Sequence, residues 1–240
     1  MLKLKETKLL DTIISLAIIF LSLLSLTPST TFAWLNDVYD SSITKGIGNF
    51  DYSFKVYFKY NNEEIDVTNN NDYKTDSKYY IVNVMDENAI NYIKNLYIEI
   101  NIQAFVSSYV RVRIFDQLVK YKIIYDGNQE VGRNGSILRD ELQPYVFSEN
   151  WIDYRHKDNY IYYPELIDVR NKNENEEYYS LTIPLIDYVD ITTTNSNGVL
   201  RYPKVTTGTV IYELYFTLEV QAVQYNRYKE IWKIDEIPQL

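Results

Sequence analysis

The chain contains no cysteine, so no disulfide braces it and no thiolate is available as nucleophile or zinc ligand. It has a single histidine, His156, in the polar run Trp151-Ile152-Asp153-Tyr154-Arg155-His156-Lys157-Asp158. A histidine beside two basic residues in a polar loop reads as solvated rather than catalytic. The His-Glu-x-x-His zinc motif is absent, and a zinc site would have to rely on carboxylates around that one imidazole. Glycines number seven and prolines six, and no glycine-rich phosphate loop is present. Lys and Arg total 24 against 33 Asp and Glu, a net charge of −9. That balance lacks the basic footprint that nucleic acid requires. It favours solubility outside a cell and association that depends on cations. Past residue 26 there is no long apolar run: Ile234 to Leu240 is short and carries Asp235, Glu236 and Pro238. With no sortase motif and no C-terminal anchor helix expected, surface retention would call for assembly or a partner.

The apolar run that does exist lies near the start. Lys3, Lys5 and Lys8 precede Ile13 to Leu26, which is followed by Thr-Pro-Ser-Thr-Thr-Phe-Ala and then Trp34-Leu35-Asn36-Asp37. Charge, grease and small-residue exit, in that order, make a secretory signal peptide. As a helix, Ile13 to Leu26 rises about 21 Å, short of the roughly 30 Å hydrocarbon core. Extending back to Leu9 brings in Asp11 and reaches only the lower limit of a span. Ala33 and Thr31 supply small residues at −1 and −3, so cleavage by signal peptidase is expected between Ala33 and Trp34. The expected organisation is a signal peptide over 1–33 and a single domain over 34–240. Contact with membrane is expected only through an uncleaved signal segment.

Tyrosine is abundant, with 25 residues. Its ring favours strands and its hydroxyl tolerates water, which suits sheets with aromatic outer faces. Period-two alternation is explicit in several segments. Tyr52, Phe54, Val56, Phe58 and Tyr60 share one face, against Ser53, Lys55 and Lys59. Leu96, Ile98, Ile100 and Ile102 alternate with Tyr97, Glu99, Asn101 and Gln103, and Val110, Val112 and Ile114 alternate with Arg111 and Arg113. Leu181, Ile183 and Leu185 form a strand interrupted at Pro184, which predicts an edge or a bend. The longest pattern runs from Val210 through Tyr212, Leu214, Phe216, Leu218 and Val220 to Ala222. Turn clusters occupy Asn61 to Glu64, Asn69 to Lys74, Asp126 to Gly135, Asn171 to Glu177 and Thr192 to Gly198. One helix is predicted over Ser136 to Gln143, with Ser136 as cap and Pro144 as stop. Many strands and almost no helix predict an all-β, jelly-roll-like antiparallel sandwich.

Carboxylates cluster at Asp37 with Asp40, Asp86 with Glu87, Asp187 with Asp190, and Glu174 with Glu176 and Glu177. None fits the twelve-residue calcium loop, so they read as solvated loop charge. No cofactor is expected, calcium being the one cation these loops leave open. No pair of carboxylates is singled out for glycosidase chemistry. Asn134-Gly135-Ser136 fits a glycosylation sequon and reads as a turn.

Together these segments resemble a known family. Ala33-Trp34-Leu35-Asn36-Asp37, Ser42 to Gly46 and Asn49-Phe50-Asp51 are similar to the mature start of the TasA and camelysin family. Tyr109-Val110-Arg111-Val112-Arg113-Ile114 looks like its Ala-Tyr-Val-Arg-Val strand, and Asn150-Trp151 with Asp158 to Tyr163 like its Trp and tyrosine-rich block. Leu181 to Leu185 resembles its Pro-Leu-Phe strand, and Glu219 to Gln224 with Trp232 its closing strand. The matches follow the family's order across nearly the whole chain after Ala33. Asn159 stands where relatives often carry Gly, and the spacing from Asn61 to Tyr80 is unusual, so the likeness is to the superfamily.

The resemblance implies a jelly-roll protein of the Gram-positive cell surface or biofilm matrix, secreted and non-enzymatic. It also implies fibres in which the N-terminal segment of one subunit completes a sheet of the next. Here that segment is Trp34 to Ile47, with apolar Trp34, Leu35, Val38, Tyr39, Ile43 and Ile47. Expected partners are further copies or related matrix subunits. Two alternatives stand beside this reading: a camelysin-like metallopeptidase, and an adhesin or glycan-binding module using exposed Tyr and Trp.

Overall fold

A computed structural model describes residues 50–138, 142–193, 202 and 209–239. The expected signal peptide, its cleavage site at Ala33 and Trp34, and the segment Trp34 to Ile47 lie outside the described residues. Those described belong to one compact unit, Thr44–Leu240. They form two antiparallel sheets packed as a β-sandwich, with short helices only.

The first sheet has the order β2-β1-β4-β10-β7. Its strands are β1 (Phe50–Tyr60), β2 (Glu63–Asp66), β4 (Leu96–Ala104), β7 (Tyr145–Phe147) and β10 (Tyr179–Val189). The second runs β3-β11-β5-β9-β8, with β6 also paired to β5. It comprises β3 (Tyr80–Asn83), β5 (Ser108–Asp126), β6 (Gln129–Leu138), β8 (Ile152–Asp153), β9 (Ile161–Ile167) and β11 (Val210–Gln224). The chain changes sheet at most connections, winding in the jelly-roll manner. Two single-turn helices, α1 (Arg155–Asp158) and α2 (Tyr228–Ile231), complete it.

Alternation decides which faces meet. Val56 and Phe58 of β1 and Leu96, Ile98, Ile100 and Ile102 of β4 are fully buried. They belong to one core with Leu214, Phe216, Leu218 and Val220 of β11 and Val110 and Val112 of β5. The Tyr80 ring stacks on Phe216 at 5.2 Å. Each such side chain contributes about 1.5–3 kcal/mol on leaving water.

Turns follow their residues. Asn61 and Asn62 have φ of 51° and 65°, the two positive values that a type I′ hairpin loop between β1 and β2 needs and that asparagine tolerates. Asn159 ends α1 in the left-handed region at φ 68°, a conformation open to glycine or asparagine.

Two sequence expectations are corrected. The helix over Ser136 to Gln143 does not form: Ser136 to Leu138 closes β6, and Gln143 lies in an extended link, with 139–141 outside the described residues. Pairing with β5 outweighs the local cap signal. The turn over Asp126 to Gly135 shrinks to Gly127 and Asn128, and the sequon sits in β6. Pro184 lies in β10, between β4 and β7 in the sheet order, but β7 pairs only from Ile186 to Val189, so among the described strands Pro184 is paired on its β4 side alone. It also marks a bend, because the register slips between Pro184 and Ile186. The buried Trp151 donates its indole N–H to the Pro184 carbonyl at 2.8 Å.

Candidate functional site

Strand β5 is 19 residues long, and β11 pairs with it from Ser108 to Lys122. Its other side is shared: β9 pairs up to Val112, and β6 takes over from Leu118. The β5–β6 hairpin turns at Gly127, whose φ of 62° comes at no steric cost to glycine. Every residue of β6 except Gly132 is exposed. Among the described strands β6 pairs only with β5, so its far side is an open edge. A bulge between Ile124 and Tyr125 leaves Val131 outside the ladder. Exposed apolar side chains concentrate here: Val131, Ile137, Leu138, Ile124 and Tyr125.

On the outer face of the hairpin the Tyr121 and Tyr215 hydroxyls meet at 3.0 Å. Tyr215 donates on to Glu213, and Arg133 bridges Glu213 at 3.4 Å and Glu130 at 2.5 Å. Burial, with the bonds to Glu213 and Tyr121, pushes the Tyr215 hydroxyl far above the usual phenol range. Tyr121 lies over Gly135, its cross-strand partner. A Cβ there would stand 2.9 Å from the Tyr121 ring, whereas one at Gly132 would meet open space. Gly135→Val is therefore expected to cost about 1–2 kcal/mol. Gly132→Val is expected to be neutral or slightly stabilising, because a branched side chain suits a strand. Urea unfolding of both variants checks this contrast.

Between β9 and β6, the stretch of β5 from Arg113 to Gln117 has no strand on that side. Asp116 sits here at an inward position of the alternation, between Ile114 and Leu118 and opposite the core residue Phe216. Burial pushes its carboxyl up to about 6, against the opposing pull of the Tyr145 hydroxyl and Arg155. Tyr145 is itself buried, and its hydroxyl makes no well-formed hydrogen bond. Burial and the nearby Asp116 charge raise it well above the usual phenol range. Arg155, in α1, is 7% exposed. It is gripped by Asp153 through Nε and Nη2, donates to the Gln143 carbonyl at 3.0 Å, and stacks on Phe147 at 4.8 Å. Tyr202 closes the cluster with a 2.5 Å bond to the Gln143 side chain.

A third cluster covers the outer face of the second sheet near the start of β5. The Arg111 guanidinium lies 3.7 Å over Tyr160 and 4.5 Å from the Trp232 ring. It donates to Gln221 at 2.9 Å and to the Tyr162 hydroxyl at 3.1 Å, and Tyr162 donates to Asp158 at 2.6 Å. Burial and that carboxylate push Tyr162 up to about 12. Trp232 and Ile237 pack with Tyr162 and Val223 as a second small core. The segment after β11 is thereby pinned to the sheet.

The other residues singled out from sequence stay apart. His156 is exposed on α1, and Glu174, Glu176 and Glu177 are exposed in a loop. Asp190 is occupied by the Thr192 hydroxyl and amide, which hold its carboxyl below the usual range. Asp37 and Asp40 lie outside the described residues. Among the described residues no three His, Cys, Asp or Glu side chains converge. A shallow polar depression is lined by Asp66, Asn69, Asn70 and Asn71. No helix among the described residues is long and apolar enough to cross a membrane. Trp151 and Trp232 are buried, so a glycan-stacking surface on this unit would have to rely on tyrosines.

Comparison with family models, curated proteins and solved structures finds no match. Geometry alone therefore characterises these three clusters. Sequence reading missed β6, whose glycines and asparagine look like turn residues, and Asp116. The latter had a signal: continuing the inward series Val110, Val112, Ile114 places an acid at the next inward position.

Proposed function

We propose that the chain is an exported, non-enzymatic structural protein of the Gram-positive cell surface or extracellular matrix. In this reading Trp34 to Ile47 of one copy adds a strand to a sheet of the next, building a biofilm fibre. The observation that carries it is the architecture: an antiparallel sandwich with a long, unpartnered strand edge at β6. Free edges are what strand addition uses. The family resemblance and the apolar content of Trp34, Leu35, Val38, Tyr39, Ile43 and Ile47 supply the donor.

Deleting Trp34 to Lys45 is expected to leave a folded protein that forms no fibres in electron micrographs, at neutral or mildly acid pH. The deletion stops short of most of the compact unit, Thr44–Leu240. Fibres unchanged by that deletion would sink the proposal. Casein hydrolysis that chelator abolishes, together with stoichiometric bound metal, would favour the metallopeptidase reading instead. Glycan binding by a monomer that never assembles would favour the adhesin.

A further inference from the structure

We propose that β6 is an edge at which two copies of this chain join, the two β6 strands pairing antiparallel about a two-fold axis at Gly135. The pairing uses no residue before Phe50, and it takes the edge that strand donation would otherwise fill, so a given β6 edge serves one or the other. It would link subunits side by side.

Four observations carry it. First, no described strand lies along the edge, and its closing run Gly135-Ser136-Ile137-Leu138 has neither the charge nor the proline that usually blunts an edge.

Second, the described ends of the chain lie far away. β1 begins at Phe50 opposite Ala104, where the chain passes to Ser108 and β5. Trp232 and Ile237 are packed with Tyr162 and Val223 near that same end. The β6 pairing starts about ten residues along β5, roughly 33 Å away.

Third, local charge is balanced: Arg133, Lys120 and Lys122 on the hairpin and its neighbour stand against Glu130, Glu213 and Asp126, so a chain of net charge −9 meets its copy where repulsion is small.

Fourth, side chains select the register. With the axis at Gly135, Leu138 lies opposite the partner's Gly132, where a side chain has open space. There it covers the partner's Ile124, which pairs with Gly132. Leu138 and Ile124 are each 41% exposed in the single chain. Asn134 then faces Ser136, and Arg133 lays its stem along Ile137. Centring on Arg133 opposes like charges, centring on Asn134 puts Leu138 against Glu130, and centring on Ser136 puts Leu138 against Asn134. An isologous arrangement satisfies both edges at once. Its area falls below the roughly 1,600 Å² of a standard interface, so the dimer is weak.

The absence of cysteine makes introduced thiols clean reporters. Full-length Asn134→Cys is mixed with full-length Ser136→Cys under mild oxidation. The mixture is expected to form disulfide-linked dimer about ten-fold faster than either variant alone. Residues 134 and 136 face each other at about 5 Å, whereas 134 and 134 are offset to about 8 Å, outside disulfide reach. Adding Leu138→Lys to both variants is expected to erase that preference without moving the thermal midpoint. Equal rates in mixed and separate samples, or a preference that Leu138→Lys leaves intact, would overturn the proposal. So would a purely monomeric sedimentation profile up to about 500 μM, where even a small interface should show.

Discussion

Asp116→Asn is expected to stabilise the protein at pH 7 by at most about 3 kcal/mol and to have almost no effect below pH 4. The carboxyl is raised to about 6 from an ordinary 3.8, chiefly by burial. A folded state that holds its proton more tightly than the unfolded chain is most stable where both are protonated. Its advantage is lost as pH rises from about 4 through 6. Every tenfold gain in proton affinity on folding corresponds to about 1.4 kcal/mol, and because part of the residue's surface reaches solvent, 3 kcal/mol is a ceiling. An amide keeps the shape and cannot ionise, so the variant should show a flat stability profile where the natural protein slopes. Urea midpoints at half-unit intervals between pH 4 and 8 test this. A slope that persists in the asparagine variant would place the titration elsewhere. The groups that face Asp116 from the packed elements are Tyr145 of β7 and Arg155 of α1. Of the two, Arg155 alone is charged at these pH values, and Asp153 already engages it.

Arg111→Ala is expected to loosen the C-terminal segment. The arginine side chain holds Tyr160, Tyr162, Gln221 and Trp232 together. Removing it is expected to weaken docking of the segment after β11 by about 2 kcal/mol, the sum of a desolvated cation–π contact and hydrogen bonds to a charged group. That corresponds to about a 30-fold larger open fraction. Trypsin cleavage at Arg227, Lys229 and Lys233 should accelerate by a similar factor, and Trp232 fluorescence should shift to the red. Arg111→Lys is not expected to rescue it, because an ammonium cannot lie flat between two rings while bonding Gln221 and Tyr162. Unchanged cleavage in the alanine variant would show that the apolar contacts of Trp232 and Ile237 suffice.

The strands that make the core were legible in the sequence. β4 and β11 alternate so regularly that their buried residues could be named in advance, and the turn expected over Asn61 to Glu64 narrows to Asn61 and Asn62, with Glu63 and Glu64 in β2. β6 was not legible. Gly132, Asn134, Gly135 and Ser136 have low strand propensity, and they become a strand only because β5 runs long enough to pair with them. Pro184 was legible as a bend in its strand, while β7, which extends the sheet past Ile186, is a three-residue strand too short to recognise.

Information carried along the chain is therefore local and periodic: strand-forming segments, the face each residue takes, tight turns, and the lack of any thiol. The leader, the expected cut at Ala33 and the donor segment from Trp34 are likewise readings of sequence. Packing of the sheets was needed to settle that β6 joins β5 and has no second partner among the described strands, that the acid at the next inward position of β5 is buried, and which arginine becomes a clamp. A period of two assigns a residue to a face but says nothing of its neighbours. Burial at an inward position of β5 raises the Asp116 carboxyl to about 6, against the pull of Tyr145 and Arg155 from other elements. Arg111 is a clamp because Tyr160 and Trp232, distant in the chain, close over it.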